Sequence, residues 1–322
     1  MYQFKPGIRE EVGLLIGLIG PSGSGKTFSA MRIASGIVGK GNKFAVIDTE
    51  ARRALHYADQ FQFDHLELHP PFKSLIYADA IRAADQAGYK AIVVDSVSHE
   101  WSSEGGVLDF QEEELTRMAG DDYHKREACK MAAWIKPKGN HKQMVQRLLQ
   151  TKAHLILCFR AEEKIKMEKG SDGKMQIIPI GFQPICSKEM PYELTTSFLL
   201  LPDKPGIPQP IKLQEQHKVM FPVNKTLGED SGQAISEWAK GTVKRPSIPE
   251  KIDPGASSQA TGGEFDLRTT KGTDYTKKKA NKGYDRGVVV LCPDKSDDNK
   301  MTDKKLCNDC KKSSDCSAWS DK

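Results

Sequence analysis

Residues 20–27 read GPSGSGKT, in which Gly20, Gly25, Lys26 and Thr27 fit the pattern G-x-x-x-x-G-K-[ST]. Polyphosphate is dense in negative charge, so a loop that holds it must turn several backbone N–H groups inward. Glycine reaches those dihedrals without a Cβ clash. A helix that follows such a loop points its positive end at the same place. Lys26 supplies a mobile charge for the β- and γ-phosphates, and the Thr27 hydroxyl is a ligand for Mg²⁺. The expected ligand is therefore ATP with Mg²⁺, held on Gly20, Pro21, Ser22, Gly23, Ser24, Gly25, Lys26, Thr27 and Phe28.

A second acid is needed near the metal, on a neighbouring buried strand. AIVVDSVSHEW (91–101) offers Asp95 after four apolar residues, where it can hold a magnesium-bound water opposite Thr27. Hydrolysis further needs a group to orient and deprotonate water, and the residue after Asp95 is Ser96. AVIDTE (45–50) places Glu50 just past a strand end, at the sheet edge where ligands sit in open α/β folds. Glu50 is the expected base, and Glu100, five residues past Asp95, is its rival. The plainer reading makes Glu50 a favourable charge on the first turn of a helix over 51–60.

The elements that must position these groups follow from apolar patterning. GLLIGLI (13–19), KFAVID (43–48), AIVVD (91–95) and HLILCF (154–159) read as short buried strands. Residues 26–38, 74–88 and 141–150 carry helical spacing, and the alternation implies an α/β domain with a mainly parallel sheet. EEKIKMEKGSDGKMQIIPI (162–180) reads as a hairpin about a Gly-Ser-Asp-Gly turn. YELTTSFLLL and PIKLQEQ read as late strands, and SGQAISEWAKG as a closing helix. These elements make up a domain over 1–244. Pro, Gly, Ser and Thr then dominate, so 245–285 reads as a flexible linker ahead of a cysteine-bearing module over 286–322.

The bulk composition narrows the class without naming it. The chain has 322 residues and a net charge of +5; residues 245–322 hold 16 Lys and Arg against 13 Asp and Glu. That field is too weak to imply nucleic acid by itself, and permits it where basic groups cluster. No apolar run approaches the ~18–20 residues that span a bilayer. Seven cysteines with no export signal point to a reducing, cytoplasmic setting. Cys292, Cys307, Cys310 and Cys316 are spaced C-x14-C-x2-C-x5-C in a segment too short and polar for a core of its own. Four thiolates about Zn²⁺ supply the missing folding energy. An iron–sulfur cluster, or surface thiols in a disordered tail, are the other readings.

VIDTE and IVVDSVS, in this order after the phosphate loop, resemble the RecA recombinase core. IDTEARRALHYA, PPFKSLIYADAIRAADQAGYKAIVVDSVSHEW, HLILCFRAEEK and PYELTTSFLLL resemble phage-encoded, AAA-type RecA-like ATPases, including the Sak-type recombination ATPases, over about 13–240. The resemblance implies a RecA-like core with Glu50 as water activator. It implies a γ-phosphate sensor at Arg160, where Gln or Asn is usual. An arginine there either stabilises transition-state charge or pairs with an acid for structural reasons. It also implies single-stranded DNA on about 99–140 and 161–192, self-association into a filament or ring, and a phage or host single-strand-binding or replication protein as partner. Tyr123, His124 and Trp134 among basic residues, and Lys164, Lys166, Lys169 and Lys174 on the hairpin, suit a single strand; a charged solvent-facing helix reads the same way. A nucleotide-gated loader with little hydrolysis is the alternative function. A small-molecule kinase lacks an arginine-rich lid, and NKTL (224–227) lacks the aspartate by which N-K-x-D reads guanine.

Overall fold

The computed structural model describes residues 12–169, 175–241, 289–291 and 301–303. The chain divides into two compact units, Met1–Pro246 and Ser247–Lys322. In the first, the strands are β1 (Leu15–Gly20), β2 (Phe44–Asp48), β3 (Phe63–Glu67), β4 (Ala91–Asp95), β5 (His154–Lys169), β6 (Met175–Pro184), β7 (Thr196–Leu199) and β8 (Gln209–Lys212). The helices are α1 (Lys26–Val38), α2 (Ser74–Gln86), α3 (Ser98–Ser102), α4 (Val107–Ala119), α5 (Tyr123–Cys129), α6 (Ile135–Leu149), α7 (Met190–Glu193) and α8 (Glu229–Ala239), with 3-10 turns at Arg53–Tyr57, Ala132–Trp134 and Glu215–Met220. In the second unit, β9 (Val289–Leu291) pairs antiparallel with β10 (Met301–Asp303).

The main sheet runs β3-β2-β4-β5-β1-β7-β8, with β6 paired to β5. All neighbours from β3 to β7 are parallel; β8 and β6 join antiparallel. This is the mainly parallel α/β core expected of a RecA-like phosphate-loop fold. Parallel strands must be covered on both faces. Leu14, Ile16, Leu18, Val93, Ile156 and Cys158 pack with α1 and α8 on one side. Leu15, Ile19, Val94, Leu155, Leu157 and Phe159 pack with α2 and α6 on the other. This two-residue alternation within continuous apolar runs is what identifies the strands as interior. Helices α1 and α8 approach backbone to backbone, because a Cβ at Gly36 would lie 2.2 Å from Glu229 O. Arg32 seals the pair through Glu229 at 2.6 Å.

Several elements differ from the sequence reading. The helix expected over 51–60 is a tight turn followed by a 3-10 segment, since Ala51 and Arg52 both have positive φ (54° and 66°) and cannot continue an α-helix. Strand β3 has no continuous apolar run and lies half-buried at the sheet edge. Helix α6 starts at Ile135, six residues earlier than its apolar pattern, because Pro137 is tolerated in a first turn. Strand β5 does not stop at Phe159 but continues to Lys169 as one arm of the hairpin, whose turn at 170–174 lies outside the described residues. The region 99–140 is mostly helical. The four tail cysteines and the proposed linker also lie outside the described residues.

His154 opens β5 and is buried, with Nδ1 accepting from Leu14 N at 3.1 Å. Burial pushes its pKa from 6.5 down to about 4. Below pH 6.5 the unfolded chain binds a proton that the folded chain refuses, so this group's contribution to stability falls with acidification and levels off below about pH 4. Across that window the loss is about 3 kcal/mol. His154→Asn keeps an acceptor for Leu14, with Oδ1 about where Nδ1 lies, without a titrating proton. Denaturant unfolding of wild type between pH 7 and 4 is expected to lose more stability than unfolding of the variant.

Candidate active site

Strand register brings the chemistry to one edge. Gly20 pairs with Arg160, Asp48 with Asp95, and Asp95 with Cys158, so the C-terminal ends of β1, β2 and β4 meet beside the middle of β5. Between them lies a cleft of about 540 Å³. Pro21, Ser22, Gly23, Gly25, Lys26, Thr27 and Phe28 line one wall, and Glu50, Asp95 and Arg160 face them. Arg53, Tyr57, Ala161 and Ile185 complete the lining. Gly20 lies at the end of β1, and Ser24 is fully buried with its hydroxyl on Pro21 O at 2.8 Å.

The loop owes its shape to left-handed backbone at Gly23 and Gly25 (φ 78° and 83°), which a side chain would oppose. Lys26 begins α1 and folds back over the loop, its Nζ donating to Pro21 O at 2.8 Å. Burial lowers its pKa. Phe28, 38% exposed, packs its ring on Tyr57 (5.6 Å) and Phe61 (5.7 Å), bracing the 3-10 segment against α1.

Thr27 Oγ1 donates to Asp95 Oδ2 at 2.5 Å. Asp95 is buried, and that burial lifts its pKa to about 6 against the Thr27 bond. A hydroxyl and a carboxylate that converge beside a phosphate loop are hard oxygen donors of the kind Mg²⁺ takes, and a dication there would offset the cost of the buried charge. The residues fit the ion.

Glu50 sits on a turn organised by Asp48, which is fully buried and accepts from Glu50 N (2.7 Å) and Ala54 N (3.0 Å). These two bonds hold the left-handed pair Ala51 and Arg52 in place. Arg160 donates from Nε (2.8 Å) to Oε1 of Glu50, with Nη2 2.7 Å from the same oxygen, and Arg53 Nη1 reaches Oε2 at 3.2 Å. Burial raises the Glu50 pKa, but the Arg160 bond and charge, with His99 and Arg53, outweigh it and hold the carboxyl below its usual value. Of the two readings of Arg160, pairing with an acid is the geometry observed, and that acid is Glu50. Glu100 is turned away from the cleft: it is 1% exposed and bonded to Ser74 Oγ (2.5 Å) and His141 Nδ1 (3.0 Å).

The sequence reading missed Asp48, Arg53, Tyr57 and His99. Asp48 was legible as an acid ending an apolar run two residues before Glu50. His99 reaches the site through a contact fifty residues long in sequence, which no local pattern announces. Among the described residues no group of three or more His, Cys, Asp or Glu is placed to hold a metal, and no helix is long and apolar enough to cross a membrane.

A phosphate loop between a strand and a helix, facing an acidic strand across an interposed β5, defines a nucleotide-binding ATPase domain. Residues 13–196 match the AAA domain family, more than half of the chain, and the chain belongs to it. No curated protein matches the sequence.

Arg160→Ala removes the main counterweight to burial, so the Glu50 carboxyl pKa is expected to move upward from its wild-type value. Carbon-detected titration of labelled glutamates reads this directly. An unchanged midpoint would mean that Arg160 does not set the charge state of Glu50.

Proposed function

We propose that the chain is a Mg²⁺-dependent ATPase that acts on single-stranded DNA in recombination, annealing or replication-linked repair. One observation carries the ATPase part: Lys26, Thr27, Asp95, Glu50 and Arg160 line a single cleft at the strand ends. ATP is held on the loop with Lys26 at its terminal phosphates, and Thr27 and Asp95 would hold Mg²⁺, which would supply neutralising charge there. Glu50 accepts a proton from water as the water oxygen bonds to the γ-phosphorus. The bond from that phosphorus to the bridging oxygen breaks, leaving ADP and phosphate. Arg160 gives up Glu50 for the terminal phosphate, which exposes the base only when substrate is in place.

Support for the DNA part is the position of the two candidate surfaces. Strand β5 leads from Arg160 directly into a hairpin with exposed Lys164 and Lys166, so the nucleotide site and this surface share one strand. On the other surface Tyr123 is 71% exposed and Lys138 lies over the Trp134 ring at 5.4 Å. Cations beside stacking faces suit single strands. The filament or ring implied by the RecA resemblance belongs to the same proposal.

A second reading, a nucleotide-gated loader that recruits a protein, is favoured by one feature. Lys164 pairs with Glu162 and Lys166 with Glu168, while Ile165, Met167, Ile177 and Met175 lie exposed on the opposite face of the ribbon. A charge-balanced ribbon with an apolar face suits a protein surface better than phosphates. The cysteine tail, read as a Zn²⁺ module from its spacing, fits either function.

ATP turnover with and without single-stranded DNA tests the proposal. Glu50→Gln is expected to cost about 10²–10⁴-fold in kcat while keeping ATP affinity, and Lys26→Ala to lose ATP binding. Wild-type turnover by Glu50→Gln removes the base assignment, and the absence of DNA stimulation favours the loader. Metal analysis of the full chain is expected to find about one zinc that is lost in Cys307→Ser/Cys310→Ser; iron in its place identifies a cluster instead, and no metal rejects both.

A further inference from the structure

His99 stands beside Glu50 with a role that the scheme above leaves open. Its side chain is 9% exposed, its ring lies against Phe72 with centroids 5.2 Å apart, and Nε2 is 3.9 Å from Glu50 Oε1. On the far side of the ring, Nδ1 is 2.8 Å from Thr49 Oγ1. The tautomer is tied to where the one Thr49 proton goes. Thr49 Oγ1 accepts from Ser96 N at 2.8 Å, and its own proton has two acceptors within hydrogen-bond distance, Ser96 O at 3.1 Å and His99 Nδ1 at 2.8 Å. That carbonyl already takes the Tyr77 hydroxyl at 3.1 Å. A carbonyl oxygen can accept twice, so the Glu50 side decides: a ring proton on Nε2 faces the carboxylate, and Thr49 Oγ1 then donates to Nδ1, the nearer of its two acceptors. The opposite tautomer would aim a lone pair at a carboxylate. Burial, with Arg160 close by, also keeps the ring neutral by lowering its pKa.

We propose that His99 is a positioning residue for Glu50: its Nε2–H, fixed by Thr49, takes over the carboxylate oxygen that Arg160 releases. The inference rests on Glu50 being the base. A carboxylate that lost both Nε and Nη2 of Arg160 would swing on its two outer torsions, held only by Arg53 on Oε2. At 3.9 Å, His99 makes no hydrogen bond in the present arrangement. A small rotation of Glu50 closes the gap and leaves the second lone pair of Oε2, beside the one Arg53 holds, to take the proton of water. Thr49 also binds the metal strand, its N donating to Asp95 O at 2.8 Å, so one residue aligns the Glu50 turn with Asp95 and with His99.

Two measurements test this. In wild-type protein without nucleotide, two-bond ¹H–¹⁵N correlations are expected to place the His99 proton on Nε2; a proton on Nδ1 overturns the arrangement whatever the activity. In turnover assays, His99→Leu should lower kcat about ten- to a hundredfold with ATP affinity unchanged. His99→Gln should recover most of it, because its amide nitrogen reaches about where Nε2 lies. Equal loss in both variants, with both folded, would reduce His99 to packing. Wild-type kcat in His99→Leu, while Glu50→Gln is inactive, defeats this proposal alone. Full turnover in Glu50→Gln defeats the base assignment first, and the tautomer still reports on the Thr49–His99 pair. Should His99→Leu fail to fold, the glutamine variant must hold near-wild-type kcat or the proposal fails.

Discussion

Three cations and two carboxylates share one small volume at the mouth of an apolar sheet, and their mutual neutralisation is what lets them stay there. Attraction between charges strengthens as the surroundings dry out, and so does the cost of leaving any one unpaired. Glu50 is answered by Arg160 and Arg53, while Asp95 leans on the Thr27 hydroxyl with Lys26 nearby. The interposed β5 sets the spacing, since it puts Arg160 beside Gly20 and Cys158 beside Asp95. Without that register the acids would meet bare sheet.

Strands that are buried on both faces write themselves plainly in sequence. AIVVD is a strand over Ala91–Asp95 and KTFSAMRIASGIV a helix over Lys26–Val38, within the bounds that patterning implies. The loop and its lysine were legible because phosphate binding demands glycine and charge at fixed spacing. Phe63–Glu67 was not, because an edge strand is half-wet and carries Asp64, His65 and Glu67 among its apolar residues.

The turn at 49–54 shows why local pattern fails at the site itself. Propensity favours a helix through ARRALHYA, yet Asp48 captures two backbone N–H groups and forces Ala51 and Arg52 into left-handed backbone. Each such residue costs about 1–3 kcal/mol. The stabilisation comes from a buried carboxylate whose partners are fixed only once the sheet exists. His99 is likewise defined by packing, through Thr49 and Phe72. For Glu50 the sequence supplied the residue, and tertiary structure supplied the aim.

The sixteen-residue β5 belongs to two settings at once: its first six residues are buried, and the rest stand outside the core. An extended chain advances about 3.3 Å per residue, so the stretch from Arg160 to Lys169 spans about 30 Å. A ladder paired with β6 along that length resists bending except at the irregularity beside Lys164 and Ile165. Such a ribbon is a mechanical arm with its fulcrum in the cleft. A few degrees of tilt at Arg160 become ångströms of sweep about 30 Å away, so a small rearrangement in the cleft is enlarged at a distance.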